Sequence, residues 1–149
     1  MDKADSTSTT AQQIAQAAIA LEQQRTGHAP KSVTVILSED TLVITLHGAL
    51  SPAERALAKS PEGAAQVQRF HRELFANASE PLRREIKRIT GVDVREATAE
   101  VEPARGSVLQ VFASGSAVQV FLLAETVPSD TWSGGVPDNP SKNKEVLPC

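Results

Sequence analysis

Residues 42–63, LVITLHGALSPAERALAKSPEG, carry the chain out of an extended segment and into a helix at one marked point. Leu42, Ile44 and Leu46 alternate with Val43, Thr45 and His47, the period-two pattern of a strand with one covered face. The alternation ends at Gly48, and Ser51-Pro52-Ala53-Glu54 follows. Serine with glutamate three positions later is a capping box. The Ser51 hydroxyl accepts from the Glu54 amide, and the Glu54 carboxylate accepts from the Ser51 amide. Pro52 takes the first helical position, where an N–H would have no intrahelical partner. The helix is short, residues 55–59, because Ser60-Pro61-Glu62 repeats the cap and the proline and starts another.

Upstream, Ile14, Ala17, Ala18 and Leu21 recur at helical spacing among glutamines, which predicts a helix from Thr9 or Thr10 to about Thr26. Gly27 stops it, and Pro30 prevents its resumption. Its apolar side is mostly alanine, a shape that allows close approach to a sheet or to a second copy of the chain. Residues 31–37 and 41–48 read as two strands of a hairpin joined by Ser38-Glu39-Asp40, with Val33, Val35 and Leu37 on one face. Ile36 and Val43 are exceptions, and they suggest that the other face is partly covered too.

Downstream, Val67, Phe70, Leu74 and Ala78 make a helical stripe flanked by His71 and Phe75. Asn77, Ser79 and Pro81 break it, and Leu82, Ile86 and Ile89 supply another stripe that Gly91 closes. The period then returns to two, and strands are expected at residues 92–101, 108–113 and 117–125, with a bulge around 95–97. Past Thr126 the chain is dense in Pro, Gly and polar residues. It reads there as an unstructured tail, like residues 1–10 at the start, leaving one domain over 11–126. The expected fold is α+β: a two-layer sandwich in the order α-β-β-α-α-β-β with one extra C-terminal strand. Its antiparallel sheet would have four to five strands, with the helices on one face.

The formal charge of -3 supplies no positive field of the kind that draws nucleic acid, which is therefore not an expected partner. One cysteine, Cys149, excludes a disulfide framework and a multi-cysteine metal site. No apolar run reaches the ~18 residues of a membrane helix. The longest candidate, residues 117–124, is interrupted by Gln119. The opening residues are acidic and lack an apolar core, so they read as neither a secretory signal nor a transit peptide. The chain is expected to be soluble and cytoplasmic.

His28, His47 and His71 have no metal-ligand spacing, and no Walker A, GxGxxG or GxSxG motif is present. Neither cofactor, metal nor catalysis is therefore expected. Glu39 and Asp40 suit a turn, and capping accounts for Glu54. Arg83, Arg84, Lys87 and Arg88, with Arg69 and Arg72 upstream, would make a basic face able to meet an anionic partner or lipid headgroup. Interleaved Glu73, Glu80 and Glu85 favour a solvated face of ion pairs.

An ordered series of marks resembles the MpsC-like domain family, named for a Na+-translocating membrane-potential-generating system and otherwise a domain of unknown function. These are Thr26-Gly27 with Pro30-Lys31-Ser32-Val33, Gly48 with Leu50-Ser51-Pro52-Ala53-Glu54, then Leu57-Ala58, Gly63, Arg72 and Thr90-Gly91-Val92. Ala29, Ser51 and Glu100 depart from the glycine, threonine and aspartate of the family pattern. The resemblance implies a small cytoplasmic domain that works with or near membrane transport or signalling components, and no established reaction. Two readings follow. One is a non-enzymatic accessory or regulatory module that binds a protein partner or forms a homo-oligomer, with peripheral membrane association left open. The other is a small-molecule or ion-binding module whose pocket between sheet and helices is lined by Pro30, Ser51, Glu54 and Arg72.

Overall fold

A computed structural model describes residues 8–101 and 116–135 of the 149-residue chain. Helix α1, Thr10–Thr26, starts where Thr9 Oγ1 accepts from the Gln12 amide at 3.1 Å, and it ends at Gly27 in the left-handed conformation. Its buried side consists of Ala11, Ile14, Ala15, Ala18 and Glu22. The expected stripe is therefore turned slightly, with Ala17 and Leu21 at its margin. The small alanines let this helix lie close over the sheet, against the strands at 32–47 and 117–135, and beside the helix at 80–90.

Strand β1, Ser32–His47, is continuous through Ser38-Glu39-Asp40, where a break between two strands was expected. A straight strand of 16 residues would hold its ends ~50 Å apart. Here the ends meet: the Lys31 amide donates to the His47 carbonyl at 2.8 Å, and Thr34 Oγ1 lies 3.1 Å from His47 Nε2. β1 therefore doubles back on itself. The reversal falls at Glu39, whose φ of 58° is a left-handed value that few side-chain-bearing residues adopt. The expected fold-back is present without an interruption of the strand.

Helices α2 (Pro52–Leu57), α3 (Pro61–Ala78) and α4 (Glu80–Thr90) follow. Each has proline in its first turn, and α4 ends at Gly91 with φ 80°. The α2–α3 junction is packed to contact, because a Cβ on Gly63 would sit 1.8 Å from the Leu57 carbonyl oxygen. Strands β2 (Val94–Val101) and β3 (Ala117–Gly135) complete the described chain. α3 packs on β2.

The described strands form one antiparallel sheet in the order β1-β3-β2. The fold is α+β, as expected, with three described strands as hydrogen-bonded elements; the expected count of four to five takes the two arms of β1 separately and includes a strand at 108–113, outside the described residues. Residues 41–46 pair with 117–122, and residues 32–37 pair with 130–135. Between Leu37↔Asp130 and Thr41↔Leu122, β1 advances four residues while β3 advances eight. β3 therefore carries the surplus around the tip of β1, with Val127 opposite Glu39. The expected bulge in β2 is present, as a register shift between Val94 and Glu96.

β3 corrects one expectation outright. The composition past Thr126 predicts an unstructured tail, yet residues 127–135 are strand. Their composition is poor in apolar side chains, but residues 130–135 pair with the first arm of β1, which satisfies the backbone groups on that side. Val127 is buried and Trp132 packs against the core. Residues 136–149 and the expected strand at 108–113 lie outside the described residues.

Among the described residues the buried apolar side chains form one core. Val33, Val35, Leu37, Leu42, Ile44 and Leu46 of β1 are all buried, as both arms of a doubled strand with one covered face require. Ile14, Leu82, Ile86, Phe121 and Leu123 join them, and Phe75 meets Phe121 edge to face at 5.8 Å between ring centres.

Candidate functional site

The capping box at the start of α2 forms as its sequence predicts. Glu54 N–H donates to Ser51 Oγ at 3.2 Å, and Ser51 N–H donates to Glu54 Oε1 at 2.9 Å. The second carboxylate oxygen has another task, which the spacing did not reveal. Glu54 Oε2 lies 2.8 Å from Nε2 of His71 on α3. One side chain thus caps its own helix and ties that helix to the next. Burial by itself raises the Glu54 carboxyl. The Ser51 amide, the hydrogen bond from His71, the charge of His71 and the Ser51 hydroxyl together outweigh it and hold the carboxyl below its ordinary value.

Behind His71 lies a small cavity between α1, α3 and the sheet. Glu22 and Arg25 of α1, His71, Arg72, Leu74 and Phe75 of α3, Ala99 of β2, and Ala117 and Gln119 of β3 line it. It offers about 20 Å³ of space to the centre of a water molecule. Arg25 Nη2 donates to Glu22 Oε1 at 2.6 Å, and its Nη1 reaches the Ala78 carbonyl at 3.3 Å. Two buried polar atoms on this wall have no partner among the described residues, Arg25 Nε and Gln119 Oε1. Native interiors seldom leave such groups unpaired without an occupant.

Of the four residues expected to line a pocket between sheet and helices, Arg72 alone lines this one. Glu54 stands behind it through His71. Ser51 is engaged in the cap, and Pro30 is buried at the turn between α1 and β1. Glu22, Arg25 and Gln119 were not anticipated. Gln119 had a signal, as the polar interruption in an apolar strand; Glu22 and Arg25 had none beyond their spacing.

The other candidates are structural. His28 Nε2 bonds the Gly48 carbonyl at 3.1 Å and His47 bonds Thr34. On α4, Arg84 pairs with Glu80, Lys87 with Asp93 and Arg88 with Glu85, all well exposed. That basic face is a solvated one with local ion pairs. Among the described residues no group of three or more His, Cys, Asp and Glu is placed to hold a metal ion, and no helix is long and apolar enough to cross a membrane.

The described residues define a small α+β domain with a polar cavity between α1, α3 and the sheet. The chain belongs to the MpsC family, described as Na+-translocating membrane potential-generating system (MpsC), which matches residues 6–115. The match ends just before β3, so the strand that pairs with both of the others lies beyond it. No curated protein and no solved structure matches the chain.

Proposed function

We propose that this MpsC-family chain is a non-enzymatic accessory or regulatory domain, cytoplasmic, that acts through a protein partner or a second copy of itself in the service of membrane cation transport. The family description supports the transport link. The observation that carries the contact is on α2 and α3, the two helices that the Glu54–His71 bond ties together. Leu57 and Phe70 stand there 47% and 50% exposed. Large apolar side chains left in water on adjoining helices favour coverage by another surface. We read the sheet beneath as five antiparallel lanes, since β1 and β3 each contribute two, in a two-layer sandwich that holds these helices on one side.

The experiment is sedimentation of the full chain over a range of concentrations, alongside capture of partners from a native membrane extract. Self-association, or capture of a transport component, that is lost in Leu57→Ser with Phe70→Ser supports the reading. A monomer at every concentration that captures nothing overturns it. A second reading, a small-ligand module, is favoured by the unpartnered atoms of the cavity.

A further inference from the structure

We infer that the sheet face turned away from the core is an interface for a second copy of this chain, the two sheets packing face to face about a two-fold axis. This face is separate from the α2–α3 surface proposed above, and neither depends on the other.

The first observation is which strand residues the core leaves out. The core takes one alternate set, with Leu42, Ile44 and Leu46 of β1 beside Ala117, Phe121 and Leu123 of β3. The intervening Val43, Val118, Val120 and Leu122 are half-buried and Ile36 is 44% exposed; none of them joins that core. An antiparallel sheet with one solvated face ordinarily turns polar residues to water at such positions. Val43 lies directly opposite Val120, with Thr98 next to it on β2, so the apolar side chains are neighbours. A contiguous apolar patch of this kind marks an interaction site.

The second observation is charge, and it selects the partner. A two-fold contact sets a patch against itself, so any charge inside it meets its own sign. Among the described residues the centre of this face carries no Lys, Arg, Asp or Glu. Thr34, Thr45, His47, Thr98 and Ser133 surround the apolar patch, and Thr34 Oγ1 bonds both His47 and Ser133. Charge stands at the margin, where Glu96 is exposed on β2 and Arg95 lies 3.7 Å from Asp40.

The third observation is shape and size. Beside Val120 and Leu122 is a hollow of about 140 Å³, walled by Glu96 and Thr98. Ile36, the one exposed large apolar side chain on the described strands, stands in the arm of β1 on the far side of Val43 from Val120. A two-fold axis through the middle of the patch therefore lays Ile36 of each copy over the hollow of the other. Five lanes ~4.8 Å apart, each with six paired residues at ~3.3 Å, give a footprint of ~480 Å² before the relief of the side chains is added. Specific interfaces bury about 600–1,000 Å² per partner, so the face suits a dimer that dissociates on dilution.

The test is sedimentation equilibrium of the full chain over a range of concentrations, with far-UV circular dichroism of each variant. We expect a concentration-dependent dimer. Ile36→Lys, at an exposed position, should weaken it about tenfold or more, as an unpaired charge closed into an apolar contact does. Val120→Glu, at the hollow, should do the same, and Thr98→Glu on the exposed wall serves if Val120→Glu does not fold. Mixed together, the Ile36→Lys and glutamate variants should associate again, because one contact then pairs lysine with glutamate and the other is unaltered. A monomer at every concentration, a dimer that both variants leave intact, or a mixture that stays dissociated would overturn the inference. So would a dimer lost in Leu57→Ser with Phe70→Ser but kept in Ile36→Lys, which assigns self-contact to the helices. A monomer that still captures a transport component sinks the sheet interface and leaves the accessory reading in place.

Discussion

The carboxylate of Asp130 caps a helix 119 positions away: the Ala11 amide donates to its Oδ2 at 2.8 Å. Thr9 serves the next free amide, that of Gln12, so α1 begins with one local cap and one supplied by β3. A negative group at a helix start is favoured both as an acceptor and by the helix dipole. Asp130→Ala should therefore cost about 1 kcal/mol, a fall of roughly 4 °C in the thermal midpoint. Asp130→Asn, which keeps an acceptor, should lose less. Circular dichroism melts of both variants check this.

Ser51 and Glu54 form one unit, and their substitutions should not add. Ser51→Ala and Glu54→Ala each remove a partner of the other's amide, at about 1 kcal/mol apiece. The double variant should lose at least ~0.5 kcal/mol less than the sum, as residues in direct contact do. A denaturant-based double-mutant cycle measures the difference. Strict additivity would show that the clasp contributes nothing as a pair.

The depressed Glu54 carboxyl makes a prediction about acid. A carboxyl whose folded pKa lies below its unfolded one contributes stability that is fully present above the unfolded value and lost as pH falls through the folded value. The stability gap between wild type and Glu54→Gln should hence be present above the ordinary glutamate range. It should begin to close below the ordinary glutamate range and vanish below the depressed value of Glu54. Urea titrations from pH 7 down to the acid limit of folding follow it. A gap that widens as pH falls through the glutamate range would contradict the assignment.

Gly63 is required by space. An alanine there would drive its Cβ to 1.8 Å from the Leu57 carbonyl oxygen, a backbone atom that can retreat only if the α2–α3 junction opens. Gly63→Ala should cost ~3 kcal/mol, the upper end of ordinary overpacking. Gly27→Ala meets nothing within 4 Å and should cost less, through its φ of 80° alone. Comparing the two midpoints separates crowding from backbone strain.

Trp132, the single tryptophan, sits half-buried on the arm of β3 that was not expected to be ordered. If that arm belongs to the core it packs against, its fluorescence and the far-UV signal of the helices should change together on unfolding, with one midpoint. An earlier fluorescence transition would make the arm a separately melting piece.

How much of this was legible follows the range of the interactions. The Ser51–Glu54 clasp, the prolines at the helix starts, Gly27 and Gly91, and the reversal at Ser38-Glu39-Asp40 are local chemistry, and the sequence displays them within a few residues. The pairing of residues 130–135 with 32–37 is not local. Nothing in PSDTWSGG announces a strand, because its backbone partners are about a hundred residues away. The same holds for the site. Arg72 could be singled out, but the cavity exists only where Glu22, Arg25 and Gln119 converge from α1 and β3.

The passage of β3 around the tip of β1 has a consequence for the order of events during synthesis. Until residues 117–135 emerge from the ribosome, the outer backbone groups of both arms of β1 lack the partners they have in the finished fold. A nascent chain that stops short of them presents two sticky margins on an otherwise formed hairpin, open to any neighbouring strand. The late closure also couples distant parts of the chain, which slows the final step. Cells making this protein quickly should need a holdase at that moment, and shortened chains should collect in inclusion bodies rather than accumulate as smaller working domains.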